Sequence, residues 1–211
     1  MFIMDRMIYD LLYSVPKGAD YAVDATNLDP DDIPRARVDG VMNILLHANN
    51  EVERFLAARL LTSWGYHEGL IALEKCMSGY EGVEGVFLHR LHGYDDTFRQ
   101  ILLAIISYFS NVADRGDLEK GRTQVYAPLS KIILMASTMP FEIYNVFDFV
   151  EREGFLEYVP LLKQHLVSII DHPEIHRWKI NDVIESLLKL DAEFVFSVLE
   201  QKGKTIEDFK V

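Results

Sequence analysis

Apolar residues return every three or four positions along almost the whole chain, and few arrangements can accommodate that pattern. Near the start, Phe2, Ile3, Met7, Ile8, Leu11 and Leu12 form one stripe, which predicts an amphipathic helix closed by Pro16, Lys17 and Gly18. The same period predicts helices over 36–47, from Val52 through Leu61, over 68–77, 95–113, 123–137, 141–152, 155–170, 175–190 and 192–202. Each is too short and too one-sided to stand alone, so the chain must stack helix on helix. An all-α fold in a single domain over residues 1–211 follows, since 211 residues with 49% hydrophobic content suffice for a substantial core.

Punctuation between the stripes is as informative as the stripes. Ala19 to Asp32 holds five aspartates and no Lys or Arg, with Pro30 and Pro34 around its last acids, which predicts an acidic loop leading into a helix start. Asn49 and Asn50 break one helix before the next, and Gly65 ends the one after. From Ser78 to Gly93 four glycines alternate with Tyr80, Val83, Val86 and Phe87, which predicts a loop or a short irregular helix.

The segment ANNEVERFLAARLLTSWGYHEGLIALEKCM places two short amphipathic helices around a tight turn, with Ala57, Ala58 and Ala72 small enough for close packing. Near the end, INDVIESLLKLDAEFVFSVLEQKG again sets a double leucine, Leu187 and Leu188, before a turn and a second helix, as Leu60 and Leu61 do earlier. These pairs resemble HEAT and armadillo-like helical repeats, and the resemblance implies a short array of antiparallel helix pairs, a HEAT-like α-solenoid. An irregular helical bundle is the alternative architecture.

Charge narrows the partners. A net charge of −12 repels phosphate backbones and anionic lipid and attracts basic proteins, so direct nucleic-acid binding is disfavoured. The apolar run Ile101–Phe109 is too short to span a bilayer, which predicts no membrane-crossing helix. The one cysteine, Cys76, sits in an apolar stripe and has no second cysteine to pair with, which suits a cytoplasmic, reducing setting and a core position. The first residues lack a basic leader and a small-residue cleavage site, so a signal peptide is not expected.

Few residue groupings suggest chemistry. His89, His92 and Asp95 stand at intervals of three, with Asp96 beside them, and a helix there would align them as metal ligands. Gly93 interrupts such a helix, and capping and hydrogen bonding are the preferred roles. His172 and His176 bracket Pro173 and Glu174 as a helix end and restart, which sets them apart from a ligand pair. The glycines of 79–93 lack the GKS or GKT ending of a phosphate loop. Neither an enzyme reaction, a cofactor nor a metal is expected.

What remains is recognition. Asp29, Asp31, Asp32, Tyr80, Glu81, Glu84, Phe87, Tyr94, Asp95 and Asp96 lie in or beside the two irregular stretches, where carboxylates steer a basic partner and aromatics anchor it. The expectation is an acidic protein-binding module. In size and charge the chain is similar to bacterial immunity proteins, including those of contact-dependent growth inhibition, and that likeness implies capture of a basic nuclease-type toxin. The alternative is a metal-dependent hydrolytic enzyme using His89, His92 and Asp95.

Overall fold

Local signals account for where the helices begin and end in the computed structural model, which describes residues 4–79, 83–89 and 93–210. Helix α1 (Arg6–Tyr13) starts where the Asp5 carboxylate accepts the Met7 N–H at 2.8 Å. Two short 3-10 turns, Ala25–Asn27 and Pro30–Asp32, occupy the aspartate-rich stretch. Pro34 then stands at the N-cap of α2 (Arg35–His47), so the expected aspartate cap belongs to the preceding turns instead. Asn50 accepts the Glu53 N–H at 3.1 Å to open α3 (Glu51–Ser63), and α4 (His67–Cys76) follows after three residues.

The second half continues in the same way: α5 (Thr97–Asp114), α6 (Leu118–Ala136), α7 (Tyr144–Glu153), α8 (Val159–Ile169), α9 (Pro173–Leu190) and α10 (Ala192–Lys202). Asp191 caps α10 by accepting the Phe194 N–H at 3.1 Å and also pairs with Lys163. Among the described residues every extended element is helical, so the all-α expectation holds. None of these helices is long and apolar enough to cross a membrane.

The chain divides into two compact units, Met1–Leu88 with Leu103–Val125, and His89–Leu102 with Tyr126–Val211. In unit 1, α3 packs closely on α4. A Cβ on Gly69 would lie 2.5 Å from the Thr62 nitrogen and 2.8 Å from the Ala58 carbonyl oxygen, so only glycine allows this crossing. Gly121 is a second contact glycine: its Cβ would meet Phe109 at 3.2 Å and Val112 at 3.3 Å. The sequence pattern treats 115–121 as a pause, whereas α6 already begins at Leu118 and Gly121 lies inside it. A missing side chain there serves packing rather than a turn.

Around the end of α3, Trp64 is fully buried and donates its indole N–H to the Ala25 carbonyl at 2.8 Å. Arg115 donates to the carbonyls of Gly65 (3.1 Å) and Trp64 (2.9 Å), and Asn111 donates to that of Ser63 (2.7 Å). These contacts satisfy carbonyls that the helix leaves open at its C-terminus. Gly65 takes φ +79° to turn the chain there.

Unit 2 packs α9 against α7, α8 and α10. Phe149 and Phe155 meet edge to face, with ring centroids 5.3 Å apart, over a core that includes Tyr158, Leu162, Leu166, Ile180 and Ile184. Gly154, at φ +69°, ends α7 in a left-handed cap.

Candidate functional site

The acidic loop of unit 1 has a defined shape. The Tyr21 hydroxyl donates to the Asp32 carboxylate at 2.6 Å and accepts the Asp29 N–H at 2.9 Å, so one aromatic side chain holds both ends of the Asp29–Asp32 turn. Asp24 caps the Ala25–Asn27 turn through the Thr26 N–H and lies 3.8 Å from Arg59. Asp29, Asp31 and Asp32 are exposed, so their charge faces solvent on a braced loop.

The residues expected from the glycine-rich stretch take different positions. Tyr80, Glu81 and His92 lie outside the described residues. Glu84 is exposed and lines a groove of about 640 Å³ with Tyr9, Tyr13, Val52 and Leu56. Phe87 is half-buried, 6.3 Å from the Phe55 ring and under the Arg59 guanidinium at 4.7 Å. The Asp95 carboxylate accepts the Thr97 N–H at 2.9 Å, a local turn just ahead of α5, whose first helical bond runs from the Gln100 N–H to the Asp96 carbonyl. The His89 ring stacks on Tyr94 at 4.6 Å. No group of three metal-ligating side chains occurs among the described residues.

Tyr94 and Asp96 are gathered into a patch of unit 2 with residues that sequence reasoning passed over. Arg99 lies 3.5 Å from Asp96 and 3.6 Å from Glu142, so one guanidinium is shared by two carboxylates. The Tyr94 ring faces Trp178 of α9 at 6.5 Å. Burial, together with Glu142 and Asp96, pushes the Tyr94 hydroxyl up to about 12. One turn past Trp178, the Asp182 carboxyl is pushed up to about 6 by burial, Glu185 and Glu142, with Asn181 opposing. Asp96 is 6% exposed, and its Oδ1 has no hydrogen-bond partner while Oδ2 accepts from Gln100 at 2.9 Å. Among the described residues the patch sets several carboxylates against the guanidinium of Arg99 and adds aromatic faces, the chemistry that receives a guanidinium or ammonium.

Glu142 and Asp182 were missed because they lie far from the glycine-rich stretch in sequence. Asp182 sits on α9 beside the buried Ile180 and Val183, a carboxylate next to an apolar stripe, and that was the available signal.

A second cluster in unit 2 is buried and basic. Lys179 is 1% exposed and donates to the carbonyls of Ala136 (2.6 Å) and Met139 (2.7 Å), closing the end of α6. Burial lowers its amine to about 7. His165 is fully buried, with Nδ1 2.9 Å from the Ser137 hydroxyl, and burial plus Lys179 and His176 lower it to about 3. A Ser–His pair invites a nucleophilic reading, but an imidazole this hard to protonate is a poor base at neutral pH. His176 is also buried and lowered to about 4, while His172 stands exposed at the start of α9. Cys76 is half-buried, and burial raises its thiol, which leaves it a weak nucleophile. No protein-family model, curated protein or solved structure matches this chain.

Proposed function

We propose that this chain is a protein-binding module that captures a basic protein partner, with binding rather than catalysis as its activity. The observation that carries the reading is the unit 2 patch, where Asp96 and Glu142 share the single guanidinium of Arg99 and Asp182 has carboxylate neighbours. A basic side chain arriving there relieves that repulsion and finds the Tyr94 and Trp178 rings alongside. The braced Asp29–Asp32 loop of unit 1 adds steering charge, because a loop already ordered by Tyr21 loses little entropy on binding.

In its narrower form the proposal is a cytoplasmic immunity protein that neutralises a basic nuclease-type toxin. Nuclease clefts are built to hold phosphate, and a strongly acidic chain of net charge −12 is suited to occupy one. The pairs of helices are, on this reading, degenerate HEAT-like units that display the two acidic surfaces.

The test is association with a purified basic nuclease domain of the same cell, read by stopped-flow at low and moderate salt. Glu142→Gln with Asp182→Asn is expected to slow association about tenfold at low salt, and Asp31→Ala with Asp32→Ala to slow it less. Unchanged rates and salt dependence in both double variants would remove these surfaces from recognition.

A further inference from the structure

We infer that His165, His176 and Lys179 form an acid-sensitive latch that holds α8 and α9 to the C-terminal end of α6, and that protonating it opens unit 2 while unit 1 stays folded. Three basic side chains, from α8 and α9, are buried around one helix end in a chain of net charge −12. Among the described residues the structure leaves no acceptor for the extra proton that each of them carries when charged. The Nδ1 of His165 lies 2.9 Å from the Ser137 hydroxyl, which itself reaches the Ile133 carbonyl at 3.3 Å, and Nε2 has no hydrogen-bond partner. In the imidazolium, where both nitrogens carry protons, the Nε2–H is therefore a buried donor with nowhere to donate. The Nδ1 of His176 likewise has no partner. Lys179 has two carbonyl acceptors, which a neutral amine saturates, and a third N–H has none.

The charged groups facing the latch reinforce this. His165 feels Lys179 and His176, while His176 feels Lys179 and His172, and each of these raises the cost of another positive charge. Glu174, at the start of α9, favours the proton on His176 but stands in contact with exposed His172. From α6 and the residues after it come a hydroxyl and carbonyls: Ser137, Ala136 and Met139. Asp182, further along α9, works in the opposite sense, since taking up a proton relieves its own crowding by Glu185 and Glu142.

The sign follows from linkage. Both histidines have folded values below the unfolded 6.5, so their contribution is complete above 6.5 and is lost as pH falls toward about 4 and about 3. In unit 1 the carbonyls at the end of α3 are held by Asn111 and Arg115, with neither a histidine nor a buried lysine among the donors.

Pulse-labelling hydrogen exchange tests the latch. The whole chain is equilibrated at steps from pH 7 to pH 4 and labelled in a brief pulse at a common pH. Amides of α8 and α9 are expected to lose protection at least tenfold before those of α3 and α4. His165→Gln with His176→Gln should move that opening about one pH unit lower. Loss of protection in both units at the same pH would overturn the proposal, as would an unshifted opening in the double variant. Should that variant fail to fold at pH 7, the order of opening in the wild-type chain and a shift in Lys179→Met decide the matter.

Discussion

The two units close a helix C-terminus with side chains from far along the sequence, and they do so with different chemistry. In unit 1, Arg115 and Asn111 reach the carbonyls of Ser63, Trp64 and Gly65 at the edge of the fold, where water still screens the guanidinium. In unit 2, Lys179 reaches Ala136 and Met139 from inside the core, where burial drives its amine to about 7. A guanidinium keeps its charge at any physiological pH, whereas a buried amine does not. The same carbonyl-capping task is therefore insensitive to pH in one unit and sensitive to it in the other.

The strongest way to break the comparison is Lys179→Ala, which leaves a cavity and two buried carbonyls without a donor. It is expected to cost unit 2 about 3 kcal/mol, read from urea unfolding followed through Trp178 in a Trp64→Phe background. In unit 1, Gly65→Ala forces a side chain into a left-handed φ of +79° and to within 2.8 Å of the Asn111 Cβ. About 2 kcal/mol should be lost, confined to amides of α3 and α4 in hydrogen exchange.

Lys179→Met sharpens the contrast without emptying the core. In the wild-type chain the folded amine lies below its unfolded 10.5, so unit 2 should gain stability as pH rises from about 7 toward 10.5. That slope should vanish in Lys179→Met, and chemical denaturation at pH 7, 8.5 and 10 checks it. Arg115→Ala removes two hydrogen bonds at a solvated position. About 1 kcal/mol should be lost by denaturation, with no change in slope over the same pH range. The smallest effect belongs to Asp182→Asn: its folded carboxyl titrates above the unfolded one, so the charge opposes folding as pH rises through about 6. Asparagine should stabilise unit 2 by about 0.5 kcal/mol at pH 7 after screening is allowed for, and a thermal melt at pH 7 against pH 5 detects it.

Much of this was legible in the linear pattern. The helices over 36–47, 68–77 and 192–202 match α2, α4 and α10 to within one residue or exactly at the ends, because apolar period, Asn, Gly and Asp punctuation all act locally. Gly121 misled the pattern because a glycine that permits close packing and one that turns a chain look alike until a neighbour is present. Tyr94 and Asp96 were recognisable as interface candidates, being aromatic and acidic beside a glycine-rich stretch. Their partners Glu142 and Asp182 were not, since the grouping depends on how α5 and α9 meet the segment before α7.

By itself the sequence determined that this protein is helical, strongly acidic and bounded at most of its helix ends, since periodicity, net charge and caps depend on residues a few positions apart. Only the tertiary structure decided which charges are grouped and which are buried. Asp29 and Asp32 become one braced surface through Tyr21, and Lys179 becomes a core group through carbonyls about forty residues away. The energy of a charge depends on its solvent and its neighbours, and both are set by packing.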